Sequence, residues 1–361
     1  MIGWGDVYKV VVSMFPLYVA LMLGYSSVKW WHLFTHDQCN GINRFISLFI
    51  LPLFGFGFTS HINPFAMNFR LLAADGLSKL ATIAILALWG RFSSQGSYRW
   101  CITIFSLCTL PNLLVVGVPV MQAMYGEWAV NLVVQLCMLQ YLIWYPLVLL
   151  FLEFRKRSVI DLATPPPTEN NCVVDEERDI EMSVVNTSEV RDDDTEKKSR
   201  GSFTMVLIKM AMNPNVYANA LGLAWALLAS RFKFTMPKIM EGSVQIMSKG
   251  GIGMAMFNIG IFIAMQTKMI ACGKGSAVLG MVSRFVVGPA IMALCSLAMG
   301  LHGPTLRVAI IQAAFPQAIA SFVFAIEYKL HAKVISTAVV FGTLISLPLL
   351  IGYYTALDYA A

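Results

Sequence analysis

The sequence predicts an all-α polytopic membrane protein whose ten transmembrane helices form two inverted repeats of five helices. Three observations carry this prediction. The 361 residues are 57% hydrophobic and 13% charged, with a mean hydropathy of +0.68, whereas a soluble domain carries about 25% charge. Apolar stretches of about 20 residues, the length that crosses a bilayer, recur along the chain. A polar, acidic segment divides these stretches into two groups of five.

The predicted spans occupy nearly all of the chain outside that acidic segment. The first one has no charge between residues 10 and 28. It also lacks the basic leader of a cleaved signal peptide, so we interpret it as a span. The approximate limits are 8–28, 41–60, 69–91, 100–124 and 128–153 in the first group, then 204–229, 240–266, 274–300, 305–327 and 333–356 in the second. We therefore predict a first repeat over 1–153, a loop over 154–203 and a second repeat over 204–361.

The loop over 154–203 is predicted to be short and disordered. It holds 12 of the 20 acidic residues, contains a run of prolines and is poor in aromatic residues, so it cannot bury a core. Basic residues flank it at 154–157 (FRKR) and 197–200 (KKSR), which places the loop in the cytosol. Because five spans precede it, both termini are expected on the non-cytosolic side.

Two of the spans, the fourth and the ninth, are interrupted by a proline. Span 4 contains TLPN, with Pro111 and Asn112, and span 9 contains AFPQ, with Pro316 and Gln317. Proline removes a backbone donor and breaks the helix. The freed backbone groups are tolerated at membrane depth only inside protein or beside water. Paired breaks in matching spans indicate the central binding site of a transporter.

The breaks favour an anionic ligand. Each second half-helix would begin at the site, with the positive end of its dipole and its free N–H groups facing inward. Asn112 follows Pro111 directly and can donate a hydrogen bond to a carboxylate. Gln140 and Tyr145 in span 5 could line the same cavity, although Tyr145 equally suits the membrane interface.

Charged residues at membrane depth are few. Asp75 and Lys79 lie four residues apart on one face of span 3, so we expect them to pair. They are either a charge site near the ligand, for gating or proton sensing, or a structural ion pair. Arg284 in span 8 is interpreted as a packing or snorkelling residue. Lys249 in span 7 is either a second binding charge or a snorkelling lysine.

Other function classes lack support in the sequence. There is no GxSxG, HExxH or P-loop motif, so an enzyme is not expected. The seven cysteines are dispersed without a CxxC pair, which argues against a metal site. We expect no cofactor, and no basic cluster suggests nucleic-acid binding.

At these motifs the sequence resembles the PIN-FORMED auxin transporters of plants. The matching stretches are FPLYVALMLGYSSVKWW, TLPNLLVVGVP, NPNVYAN, GMAMFNIGIFIAMQ, IIQAAFPQAIASFVFAIEY and STAVVFGTLISLPLLIGYY. They cover both membrane halves in order, and the central loop resembles that of the short-loop members. Four positions depart from the family pattern: Gly55, Lys249, Ala318 and Ser321.

The resemblance implies a scaffold domain and a transport domain that contains two crossed, proline-broken helices. It also implies elevator-type export of the indoleacetate anion from the cytosol by a homodimer, and residence in the endoplasmic reticulum membrane. Residue by residue, it carries over Asn112 as the carboxylate-holding residue, Leu51, Gln140, Tyr145 and Ile319 as cavity-lining residues, Pro111 and Pro316 with Gln317 at the crossover, and Asp75 and Lys79 as a polar support pair.

Three functional hypotheses follow. The first is facilitated uniport of the auxin anion and related aromatic carboxylates, driven by membrane potential. The second is transport of an organic anion coupled to protons or sodium through Asp75. The third is a membrane receptor or scaffold that does not transport and signals through its acidic loop.

Overall fold

The computed structural model describes residues 4–93, 97–152, 213–266, 270 and 272–359. The predicted loop over 154–203 and residues 204–212 of predicted span 6 lie outside these ranges. Within them, all regular elements are helices apart from one isolated β-bridge. The main helices are α1 (Trp4–Lys29), α2 (His36–Thr59), α3 (Phe69–Phe92), α4a (Tyr98–Thr109), α4b (Leu113–Tyr125), α5 (Glu127–Leu152), α6 (Pro214–Phe232), α7 (Lys238–Met265), α8 (Lys274–Ala298), α9a (Gly303–Ala313), α9b (Ile319–Glu327) and α10 (Ala332–Tyr359).

Seven of the described helices are long and apolar enough to cross a membrane. They are α1, α2, α3, α5, α7, α8 and α10, which matches the predicted positions of seven spans. Predicted spans 4 and 9 are each split in two at the proline, so neither half reaches that length. Within the described residues, α6 begins at Pro214, where the Asn213 side chain accepts a hydrogen bond from the backbone of Asn215. The protein is thus a polytopic α-helical membrane protein.

Four of the described helices contain a wider π-helical turn that the sequence analysis does not predict. Each turn ends two residues before a proline, which lacks the N–H for a bond four residues back and whose ring crowds the carbonyl there. Widening the turn relieves that conflict, and such turns recur at functional sites. The turns are Ile46–Ile50, Leu113–Gly117, Gln140–Trp144 and Ser283–Val287, before Pro52, Pro119, Pro146 and Pro289.

Helices α1 and α7 pack backbone against backbone. A Cβ at Gly24 would lie 2.0 Å from the carbonyl oxygen of Phe257, and a Cβ at Gly260 would lie 2.0 Å from that of Leu21. Only glycine allows this approach, which is how small residues bring membrane helices together. The two helices therefore form a close-packed pair.

Replacing Gly260 by alanine should separate this pair. The added methyl group has no space, and overpacking of this kind costs about 1–3 kcal/mol. We expect a lower midpoint of thermal unfolding in detergent. The matched control is Gly242→Ala on the same helix, where nothing lies within 4 Å of an added Cβ and alanine favours helix by up to about 1 kcal/mol. Equal midpoints for both variants would contradict the tight contact.

Candidate functional site

The two proline breaks meet each other. Residues Pro111 and Gln317 form an isolated antiparallel bridge. The Asn112 amide donates to the Pro316 carbonyl at 2.8 Å, and the Ala318 amide donates to the Leu110 carbonyl at 3.1 Å. Backbone groups that the breaks leave without helical partners thus satisfy one another, as burial at membrane depth requires. We call these paired residues, 110–112 and 316–318, the crossing.

Two glutamine side chains, one on each side of the crossing, hold it in place. Gln317 is fully buried and donates from Nε2 to the Ser106 carbonyl at 3.1 Å and to the Ser321 hydroxyl at 2.7 Å. Gln140 donates from Nε2 to the Pro111 carbonyl at 2.9 Å and to the Tyr145 hydroxyl at 3.1 Å. Two glutamine amides therefore tie the crossing to the surrounding helices.

A cavity of about 470 Å³ lies against the crossing. All five residues predicted to bind substrate line it: Leu51, Asn112, Gln140, Tyr145 and Ile319. Pro111 also lines it, whereas Pro316 and Gln317 do not. The structure thus brings the predicted residues together from α2, α4b, α5 and α9b, and their role in binding stays a proposal.

Helix ends and an amide, rather than a cationic side chain, would attract an anion into the cavity. Among the described residues that line it, Glu327 is charged and none is Lys or Arg. The first residues of α4b and α9b, 113–115 and 318–320, contribute to the wall, so two positive helix ends border the cavity. Asn112 is 9% exposed there. Its Oδ1 accepts from the Val115 amide at 3.4 Å, which leaves the side-chain NH₂ group for a ligand.

The expected pairing of Asp75 and Lys79 is present, away from the large cavity. Lys79 Nζ lies 2.7 Å from Asp75 Oδ2, and both residues are 3% exposed. The ammonium also lies 4.9 Å from the centre of the Trp144 ring. Asp75 borders a second, small cavity of about 20 Å³ together with Pro111 and Arg284. The pair therefore lies behind the crossing.

The sequence does not predict the contacts of three polar residues near the site, Asn43, Asn258 and Arg284. Asn258 on α7 donates to Asn43 on α2 at 2.8 Å in the cavity wall, and isolated asparagines give no sequence signal for such a contact. Arg284, interpreted as a packing or snorkelling residue, is 0% exposed, which agrees with packing and excludes snorkelling. Its place in the π-helical turn before Pro289 is the signal that could have marked it. The side chain of Lys249 lies outside the described residues.

The chain matches known proteins along nearly its whole length. The family model described as membrane transport protein matches residues 9–354. The chain is 52% identical to auxin efflux carrier component 5 of Arabidopsis thaliana and 50% identical to probable auxin efflux carrier component 5a of Oryza sativa subsp. japonica, in both cases across 99% of each chain. It belongs to the PIN-FORMED auxin efflux carrier family. The resemblance found in its motifs is confirmed.

Alignment lengths show which kind of PIN-FORMED chain this is. The two alignments extend over 362 and 364 residues, close to its own 361. The alignment with probable auxin efflux carrier component 1b of Oryza sativa subsp. japonica extends over 547 residues at 32% identity, so that relative carries much additional sequence. The chain is a short-loop PIN-FORMED protein.

Of the four positions expected to depart from the PIN-FORMED pattern, Ala318 lies in the crossing and Ser321 lies beside it. Ala318 lines the large cavity, and Ser321 accepts the hydrogen bond from Gln317 at 2.7 Å. Gly55 lies on α2, where an added Cβ would be 3.0 Å from Asn219 Nδ2. The crossing itself is paired through backbone groups and not through the side chains at these positions.

Proposed function

We propose that this chain is a facilitated uniporter that moves the indoleacetate anion out of the cytosol. The observation that carries the proposal is the side-chain amide of Asn112, which lies where two positive helix ends meet, in the wall of a cavity of about 470 Å³. The relatives are named auxin efflux carriers, which supports auxin as the substrate. The match to the membrane transport family supports a transporter rather than an enzyme.

The cavity suits an aromatic carboxylate. Its volume lies within the roughly 300–1,000 Å³ of small-molecule sites, which combine apolar walls with a few polar groups. Leu51, Ile319, Phe324 and Tyr145 supply apolar and aromatic surface for a ring. The carboxylate would lie at Asn112. Binding through dipoles and one amide is weak enough to allow release, since each helix end contributes about 0.3–2 kcal/mol.

We propose ten spans in two inverted repeats, divided into a scaffold of α1, α2, α6 and α7 and a transport domain of the remaining helices. Contacts between distant parts of the sequence support the scaffold. Besides the α1–α7 pair, Thr59 on α2 donates to Asn219 on α6 at 2.9 Å. The cavity is lined from both groups of helices, as an elevator movement of one group against the other would require.

The cavity extends to the last turn of the described part of α5, after which the central loop follows in the sequence. Leu149, near the end of α5, and Asn213 to Asn215, at the start of α6, belong to its lining. With a cytosolic loop and non-cytosolic termini, this conformation would face the cytosol. A cytosol-negative potential then supplies about 2.3 kcal/mol per charge per 100 mV for outward movement of the anion. We place the protein in the endoplasmic reticulum membrane as a homodimer, on the family resemblance.

Two alternatives remain as outcomes of the test. Proton or sodium coupling through Asp75 is opposed by Lys79, whose ammonium already neutralises that carboxylate at 2.7 Å. A receptor that does not transport would need the loop over 154–203 for its function. Deleting that loop should leave transport by the uniporter largely intact.

The deciding experiment is flux of labelled indoleacetate in proteoliposomes at neutral pH, where the acid is ionised. We expect flux that follows an imposed potential, needs neither a sodium nor a pH gradient, and falls when unlabelled aromatic carboxylates compete. Empty liposomes give the leak. Flux that depends steeply on an ion gradient and is lost in Asp75→Asn would instead favour coupling. Absence of flux above the leak would overturn the transport proposal.

A further inference from the structure

Arg284 is a fully buried cation that the proposed mechanism has not used. It lies in the π-helical turn of α8 and is 0% exposed. Among the described residues, no carboxylate forms a salt bridge with it. A buried charge without an ionic partner is expensive and is retained at membrane depth mainly for function.

The guanidinium group instead binds the ends of two half-helices. Nη1 donates to the Leu107 carbonyl at 2.9 Å, and Nη2 donates to the Ala313 carbonyl. Leu107 lies in the last turn of α4a, and Ala313 is the last residue of α9a. These are the half-helices that run into the two breaks. One side chain from α8 thus joins both.

Both carbonyls lack a partner because of the breaks. In a continuous helix the Leu107 carbonyl would accept from residue 111, which is a proline without an N–H. The Ala313 carbonyl would accept from residue 317 in a continuous helix, but α9a ends at Ala313, and the residue three positions later is Pro316, which has no N–H for a tightened last turn. Arg284 therefore replaces the donor that Pro111 removes and supplies one to the end of α9a, where the helix is broken.

The backbone beside Arg284 is shaped for this contact. A Cβ at Gly288 would lie 2.5 Å from the Cys108 carbonyl oxygen, so glycine lets α8 approach the end of α4a. Arg284 Nε has no hydrogen-bond partner and the residue borders the small cavity of about 20 Å³. That space is enough for one water molecule, which requires about 10–15 Å³.

The charge balance around the crossing makes this contact electrostatic as well as structural. The buried charged residues of the described chain are Asp75, Lys79 and Arg284, and the first two neutralise each other at 2.7 Å. The remaining positive charge lies on the two helix C-termini, each of which carries about −0.5 charge. Beside the crossing, the positive N-terminal end of each second half-helix remains exposed to the cavity, whose wall also contains Glu327.

We propose that Arg284 is a positioning residue that sets the preference of the site for an anion, by holding and neutralising the negative ends of α4a and α9a behind the crossing. The inference rests on the proposed function, since it concerns the same site. It assigns the selectivity for charge to a residue that does not line the cavity and does not touch the substrate.

The test compares two ligands of the same shape and different charge. Binding of indoleacetate and of its neutral amide, indole-3-acetamide, is measured on the purified full-length protein. The wild type should prefer the anion. Arg284→Gln should reduce this preference about tenfold or more, through loss of anion affinity. Arg284→Lys retains the charge and should retain the preference, while its maximal transport rate falls because one ammonium lacks the guanidinium fork.

Controls separate this role from general damage. Arg307→Gln removes a partly buried arginine that pairs with Asp358 on the distant end of α10 and should leave the preference unchanged. Equal weakening of both ligands in Arg284→Gln, or loss of preference in Arg284→Lys, would overturn the inference and leave the transport proposal standing. If Arg284→Gln does not fold, Arg284→Lys alone decides. A wild type that binds neither ligand would overturn both proposals.

Discussion

Replacing Asn112 by alanine should reduce indoleacetate flux about tenfold or more, since hydrogen bonds to charged groups contribute about 1.5–3 kcal/mol. The substitution removes the cavity-facing NH₂ group proposed to hold the carboxylate. It should not unfold the protein, because the crossing is held by the Asn112 backbone amide, 2.8 Å from the Pro316 carbonyl. The side chain contributes one long cap bond of 3.4 Å to Val115. Flux in proteoliposomes measures the loss of transport, and thermal unfolding in detergent measures any loss of stability.

Two further variants make the Asn112 test specific. Asn112→Asp places a carboxylate where the substrate carboxylate is proposed to lie, and like-charge repulsion should reduce anion binding further than alanine does. Asn63→Ala is the matched control, because Asn63 caps a short helix at 64–66 and does not line the cavity. Unchanged flux in folded Asn112→Ala would remove Asn112 from the site.

Removing Lys79 alone should destabilise the protein by about 3–5 kcal/mol, the cost of leaving a buried carboxylate without its partner. Lys79 and Asp75 are both 3% exposed, with 2.7 Å between Nζ and Oδ2. The double variant Asp75→Asn with Lys79→Met removes both charges and should recover most of the stability, because replacing a buried pair is often nearly neutral. Thermal unfolding of the wild type, the two single variants and the double variant completes a double-mutant cycle, which gives the interaction energy of the pair.

The more exposed pair of Arg307 and Asp358, 22% and 23% exposed, is the control for the Lys79 result. Removing Arg307 should cost less, about 1 kcal/mol, because solvent reaches both side chains of this pair and screens it. Equal losses at Lys79 and Arg307 would contradict the burial argument. Potential-driven flux that persists in the double variant would show that the Asp75–Lys79 pair is structural, whereas new dependence on an ion gradient would point to coupling.

Much of the fold could be predicted from the sequence, because the length of an apolar stretch and the position of a proline are local properties. Seven spans were placed within a few residues, and the breaks at Pro111 and Pro316 were found from the two prolines alone. The π-helical turns were missed, although each lies two residues before a proline. A wider turn changes one hydrogen-bond register and leaves the apolar pattern intact, and Pro16 and Pro348 lie within helices without one.

The candidate site could be predicted only in part, because some of its contacts join distant parts of the chain. The position of Asn112 beside the cavity was predictable because its helix break marks it in the sequence. The contacts of Arg284 were not, because they join the ends of two half-helices that come from distant parts of the chain and meet α8 in space. Asn43 and Asn258 likewise acquire their meaning from a contact between α2 and α7. Tertiary proximity of this kind has no signal in the order of residues.

The crossing also sets an order for biosynthesis. Its two backbone hydrogen bonds join residues about 200 positions apart, so residues 110–112 are made long before their partners. Until Ala318 has left the ribosome and entered the membrane, the groups exposed by the first break need temporary partners, water or the insertion machinery. The ligand cavity is therefore one of the last parts of the molecule to form. A nascent chain that stops before the second break has inserted helices but no site.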